Sequence, residues 1–170
     1  RVNTDPLPYY PKVTIVVPAH NEDVVIAQTA KAILDLNYPH DRVELLLFAD
    51  NCSDRTYEEC LAVKALPEYA GRDLTIINRS GTGGKAGVLN DALAMATGDY
   101  ICVYDADAMP EKNALYFLVK EVLKDPERHV ASFGRNKTRN AGQNFLTRCI
   151  NQEIVVTQRV HHVGMWHLFK

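Results

Sequence analysis

Four short, near-continuous apolar runs punctuate the chain at 13–17 (VTIVV), 43–49 (VELLLFA), 74–77 (LTII) and 100–104 (YICVY). Each is rich in β-branched or aromatic residues and bounded by turn formers, as expected of strands buried on both faces. Between them, apolar residues recur at helical spacing over 24–36, from about 55 to Leu66, and over 85–97. In 24–36 the inward set is Val25, Ile26, Thr29, Ala30, Ile33 and Leu34. In 85–97 it is Val88, Leu89, Ala92, Leu93 and Ala96, with Gly98 expected as a left-handed C-cap. Pro18 is expected to stop the first strand, and Pro110 to open a helix over 111–123 at its first position. A fifth strand over 130–134 and a helix over 145–163 complete the reading. Strands that alternate with helices but not within themselves imply an α/β fold, a mostly parallel sheet with helices on both faces. The expected organisation is an extended lead-in over 1–11, an α/β ligand-binding domain over 12–140, and the helical start of a truncated second half over 141–170.

Composition narrows the partners. The 170 residues suffice for one domain with a real core. Apolar residues make up 46% and charged ones 24%, with a formal net charge of -2 and no basic stripe, which argues against a nucleic-acid partner. The cysteines, Cys52, Cys60, Cys102 and Cys149, lack zinc spacing and read as reduced thiols of a cytoplasmic protein. No apolar stretch reaches the roughly 18 residues of a membrane helix. Both ends look cut, since the chain opens on Arg1 and closes just after an aromatic run, MWHLF.

In parallel sheets, ligands bind beyond the carboxyl ends of the strands. The loops expected there are His20-Asn21-Glu22, Asp50 to Asp54, Arg79 to Lys85 and Asp105 to Asp107. Four polar loops crowding one edge are better explained by a site than by solvation. If 105–107 is extended, Asp105 and Asp107 face one spot across Ala106, and like charges that close call for a cation. The alternative is that Asp107 caps the next helix and Asp105 is solvated. Gly81-Thr82-Gly83-Gly84-Lys85-Ala86 fits the G-x-G-x-x-A dinucleotide fingerprint, but it opens the third βα turn instead of the first. It fails as a phosphate loop, because Arg79 and Ala86 hold the places of the first glycine and the hydroxyl. A flexible loop with Lys85 at a helix N-terminus nevertheless suits an anionic phosphate, unless Lys85 only faces water. A carboxylate pair and such a lysine together fit a diphosphate bridged by Mg²⁺ or Mn²⁺. Asp50 could accept the imide N–H of a uracil ring, or it could simply start an Asx-turn in DNCSD.

The segments VTIVVPAHNE, ADNCSDRT, GGKAGVLNDAL and GDYICVYDADAMP, in this order, resemble family 2 glycosyltransferases of GT-A fold over residues 12 to about 135. Within that family the chain is most similar to the membrane-integrated branch of cellulose- and hyaluronan-synthase-like proteins. The resemblance implies that Ala19 and Glu22 border the nucleoside and that Asp50 reads the uracil. It places Lys85 near the diphosphate, Asp105 on ribose or metal, Asp107 on the metal, and Asn90 in a second tier of contacts. It also implies a nucleotide-sugar donor, a glycan or lipid acceptor, inversion, and a parent protein at the cytoplasmic face of a membrane. The acidic base and the Gln-x-x-Arg-Trp motif of catalytic members are not found: Gln158-Arg159 lacks the rest, Trp166 follows Met165, and Glu153 is the only acid after Glu127. A general base is therefore expected beyond Lys170. Two other readings remain at this stage, a nucleotide-sugar-binding module without turnover and a dinucleotide-dependent oxidoreductase.

Overall fold

The computed structural model describes residues 5–124 and the backbones of two further strands, 131–133 and 167–169. The elements are β1 (Val13–Ala19), α1 (Ile26–Leu34), β2 (Val43–Asp50), α2 (Thr56–Lys64), β3 (Asp73–Arg79), α3 (Gly84–Met95), β4 (Tyr100–Val103), α4 (Ala114–Val122), β5 (Ala131–Phe133) and β6 (His167–Phe169). The sheet order is β3-β2-β1-β4-β6-β5. The pairs β3–β2, β2–β1 and β1–β4 are parallel, whereas β6 runs antiparallel to both β4 and β5. The α/β fold with helices on both faces is as the sequence implies.

Alternation along the central strands sorts the core into two layers. Val13, Ile15 and Val17 of β1 and Leu45 and Leu47 of β2 pack with Ile26, Ala30 and Ile33 of α1, Cys60 and Val63 of α2, and Leu115 and Val119 of α4. On the other face Val16, Leu46 and Phe48 meet Val88 and Ala92 of α3. That second layer is thin. Leu93 was expected to face inward with Val88 and Ala92, yet it is 65% exposed. No other described helix lies on this face, so the outer side of α3 meets no packing partner among the described residues.

Several boundaries differ from the sequence reading. Pro18 does not stop β1, which continues to Ala19 in register with Ala49. Residues of like parity bond to the same neighbouring strand, and the Val16 carbonyl accepts from Tyr104 N–H (3.0 Å) on the β4 side. Pro18 therefore also faces the β4 side, where that ladder has ended at Val103, and its missing N–H costs no strand bond. Arg79, read as loop, is the last residue of β3. Pro110 does not open α4, which starts four residues later with Asn113 as its N-cap residue. Gly98 is not a left-handed cap, since α3 ends on Ala96. A Cβ on Gly98 would instead lie 2.5 Å from the Thr14 nitrogen, so this glycine lets the start of β4 approach β1. The fifth strand is present, but β6 separates it from β4. The helix expected over 145–163 lies outside the described residues, as does most of the proposed 141–170 unit.

The amino-terminal edge of the sheet carries a buried polar knot. Glu44, 6% exposed, accepts hydrogen bonds from the Thr14 hydroxyl and from Thr97 N–H (2.9 Å). Thr14 Oγ1 in turn accepts from Gly98 N–H (2.9 Å), and Lys12 Nζ reaches Thr97 Oγ1 (2.7 Å) and Asp73 (3.1 Å). Burial alone would push the Glu44 carboxyl up, but these hydrogen bonds and the Lys12 charge outweigh it and hold the group below its ordinary value. A depressed folded-state pKa gives stability that is present above the unfolded value near 4.5 and lost as pH falls through the folded one. Glu44→Gln should thus destabilise the fold by ~1–2 kcal/mol at pH 7, and by less at pH 4. Urea unfolding of both proteins at the two pH values measures this, and an equal gap at both would assign Glu44 no ionic role.

Candidate active site

Because β1 to β4 are mutually parallel, their carboxyl ends share one edge, and the loops that leave them are laced together there. Two of these loops carry asparagines in the left-handed region near their starts, Asn21 (φ 54°) and Asn51 (φ 50°), a conformation that asparagine tolerates better than most residues. Asn21 Oδ1 accepts from Ser53 N–H (2.8 Å). The Asn51 amide brackets Gly81, donating to its carbonyl (2.8 Å) and accepting from its N–H (3.2 Å). His20 Nδ1 lies 2.8 Å from the Asp50 carbonyl oxygen, and Glu22 N–H donates to Thr56 Oγ1 (2.8 Å).

Asp50, the last residue of β2, is 5% exposed. The parallel register sets it beside Arg79, and Arg79 Nη1 donates to Asp50 Oδ1 at 2.6 Å. Asn51 Nδ2 donates to the same oxygen at 3.1 Å. The Asx-turn alternative for Asp50 does not hold. Asp54 makes that turn, with Oδ1 accepting from Thr56 N–H (3.0 Å) and Oδ2 from Asp23 N–H (3.1 Å). Burial alone would raise the Asp54 carboxyl, but hydrogen bonds from the Thr56 hydroxyl (2.6 Å) and from the Thr56 and Asp23 N–H groups outweigh it and hold the group below its ordinary value.

The acidic motif is not extended. Ala108 N–H donates to the Asp105 carbonyl (3.0 Å), closing a turn over 105–108, so the alternation argument for a shared facing direction fails. Asp107 lies well ahead of α4 and does not cap it. It is exposed, and no described residue pairs with its carboxylate. Asp105 is partly buried and pairs with Lys85, which sits in the first turn of α3. A cation there opposes the helix dipole, and the Asp105 carboxylate offsets that opposition. The pair is half open to solvent and worth little to stability, which leaves Lys85 free to exchange partners. Ala19 is buried at the end of β1, Glu22 is partly buried, and Asn90 is exposed on α3.

Two residues missed in the sequence also shape this edge. Thr29, fully buried on α1, donates from Oγ1 to the Ala106 carbonyl (2.6 Å) and so anchors the acidic turn. Its helical spacing marked it only as core. Arg79 was hidden because β3 was expected to end at Ile77. Extending that strand by two residues sets Arg79 opposite Asp50.

A polar, anion-compatible edge beyond parallel strands fits several α/β families, so similarity to known proteins decides among them. The glycosyl transferase family 2 model matches residues 14–167. The chain belongs to glycosyltransferase family 2. It is 42% identical over 160 residues to a protein of Bacillus subtilis named probable glycosyltransferase YdaM, covering 94% of this chain and 38% of that protein. It is 36% identical over 140 residues to the beta-monoglucosyldiacylglycerol synthase of Trichormus variabilis, covering 81% of this chain and 29% of that one. Among solved structures, the mannosyltransferase of Pyrobaculum calidifontis in complex with GDP-Man and Mn²⁺ superposes with a TM-score of 0.76 at 26% identity, over 96% of this chain and 45% of that one. The fold of this family 2 chain is therefore GT-A, and the chain spans less than half the length of each of these relatives.

The Thr29 anchor is directly testable. Thr29→Val keeps shape but leaves the Ala106 carbonyl without its donor, which should cost ~1–3 kcal/mol, while Thr29→Ser should retain most of the stability. Chemical denaturation of the three proteins measures it, and equal stability of the Val and Ser variants would remove the anchor's significance.

Proposed function

We propose that this chain is the donor-binding part of a metal-assisted, inverting glycosyltransferase that takes a UDP-sugar and passes the sugar to a glycan or lipid acceptor. The observation that carries the reading is the meeting of Asp50, Lys85 and the Asp105–Ala108 turn at one sheet edge of a family 2 chain. A relative named as a diacylglycerol glycolipid synthase supports a lipid among the acceptor classes. The parent protein is read as membrane-integrated and acting at the cytoplasmic face. No helix of the described residues is long and apolar enough to cross a membrane, so the spans belong to other parts of the protein in this reading.

The donor set fits a hard divalent cation. Among the described residues no three metal-ligating side chains converge. Asp107, exposed and without a described partner, and Asp105, once released by Lys85, are the carboxylates that would hold Mg²⁺ or Mn²⁺, hard cations that need only one or two protein carboxylates. The solved relative that carries Mn²⁺ with its nucleotide-sugar points the same way. Bound there, the cation would supply Lewis-acid neutralisation of the departing diphosphate, worth several kcal/mol in such sites. Lys85 leaves Asp105 and donates to the diphosphate, where an ammonium ~4 Å away contributes up to ~4 kcal/mol at an effective dielectric near 20. Asp50 accepts the imide N–H of the base, and Asp105 also accepts from the ribose. Ala19 and Glu22 border the nucleoside and Asn90 supports the diphosphate from α3. The general base that deprotonates the acceptor is assigned beyond Lys170.

Titration of the wild type with UDP should require Mn²⁺ or Mg²⁺, and Asp107→Asn should abolish that dependence, because an amide keeps the shape but loses the charge. Metal-independent UDP binding by the wild type counts against the assignment. Lys85→Ala should weaken UDP by about tenfold even at saturating metal, since its charge acts on the phosphate.

A further inference from the structure

The glycine-rich loop encloses an arginine. The Arg79 side chain is 11% exposed, and each side of its guanidinium is engaged. Nε donates to Asp91 Oδ2 (2.6 Å), Nη1 to Asp50 Oδ1 (2.6 Å) and Nη2 to the Thr82 carbonyl (3.0 Å). A Cβ on Gly81 would stand 2.7 Å from the guanidinium carbon, and one on Gly87 would stand 2.7 Å from Nη2 and 2.3 Å from the Thr82 oxygen. Neither glycine has positive φ. These two glycines therefore make room for Arg79, whereas Gly83 (φ 86°) and Gly84 (φ 50°) are the ones the turn itself requires.

The consequence falls on Asp50. Its Oδ1 already accepts two hydrogen bonds, from Arg79 and Asn51, which fills that oxygen's two lone-pair sites. Oδ2 takes none from any described residue and remains for a ligand. One free carboxylate oxygen in a fixed orientation suits a base with a single N–H on its reading edge. Uracil has that edge, an imide N–H between two carbonyls. Guanine presents an N–H beside an amino group and is best met by both oxygens of a carboxylate. Cytosine and adenine offer an amino N–H directly beside a ring-nitrogen lone pair, so a carboxylate oxygen that accepts from the amino group is set against that lone pair.

We infer that Arg79 is a specificity-determining positioning residue. By occupying Oδ1 of Asp50 it restricts the donor site to uracil nucleotides, and Asp91 on α3 holds it in place. This rests on the donor-site reading above. Three of the five guanidinium N–H donors are committed to Asp91, Asp50 and the Thr82 carbonyl.

The test is calorimetry on the intact protein with Mn²⁺ and three probes: UDP, GDP and pyrophosphate. The wild type should bind UDP at least about tenfold more tightly than GDP, the scale of one hydrogen bond to a charged group. Arg79→Lys keeps the charge but loses the fork and releases Oδ1, so it should narrow that ratio about tenfold, chiefly by strengthening GDP, with pyrophosphate unchanged. If Arg79→Lys does not fold by thermal melting, Asp91→Asn decides. It should narrow the UDP-to-GDP ratio by about threefold, the scale of a weakened ion pair, and leave pyrophosphate unchanged. GDP binding as tight as UDP in the wild type overturns the inference, as does a variant that weakens UDP and pyrophosphate equally or leaves the UDP-to-GDP ratio intact. If the folded wild type binds neither nucleotide, the donor-site reading itself fails.

Discussion

The parallel pairing of β1 with β2 on one side and β4 on the other is the constraint from which the rest follows. A parallel ladder cannot be closed by a hairpin, so each connection must cross a face of the sheet as a helix. Those crossovers cover both faces, make the central strands largely apolar, and return β1 to β4 in the same direction. Their four carboxyl ends then coincide, together with the loops that leave them. The polar edge is thus a consequence of the ladder, and the loops have only to supply side chains. They also tie one another down, through Asn21 to Ser53, Asn51 to Gly81 and Glu22 to Thr56, so the edge is built mostly from main-chain groups held by short polar side chains.

Strand β2 carries an acid near each end, and their treatment differs. Glu44 and Asp50 are six residues apart, lie on the same side of the strand and are both buried. Glu44 is met by Thr14 and Thr97 and fastens β4 and the end of α3 to the sheet. Asp50 is met on one oxygen only. A buried carboxylate with an open oxygen is costly unless a cation stands beside it, and Arg79 is that cation. Asp91 and Asp50 in turn raise Arg79 further above its already high pKa, so its charge is constant over any working pH. The same register that pairs Asp50 with Arg79 across the ladder makes the pair sensitive to strand slip, since a shift of one residue would turn either side chain to the opposite face.

The amino-acid sequence by itself determined the fold class, the succession of the first five strands along the chain, and the membership of the edge; β6 was not foreseen. Near-continuous apolar runs separated by 3.6-period segments admit few alternatives, and the positions of Asp50, Lys85, Asp105 and Asp107 relative to the strand ends follow from them. The tertiary structure decided what each residue does there. Asp105–Ala108 became a turn because the chain must leave β4 and cross to α4, and Thr29 from a different helix fixes it. Pro18 stayed in β1 because the β4 ladder ends before it, a fact that local propensity does not contain. Leu93 lies exposed because burial depends on having a neighbour, and periodicity reports only one side of that contact. Arg79 and its glycines were illegible for the same reason: a glycine that spares room for a side chain reads in sequence like a glycine that permits a turn, and only the packed loop separates the two.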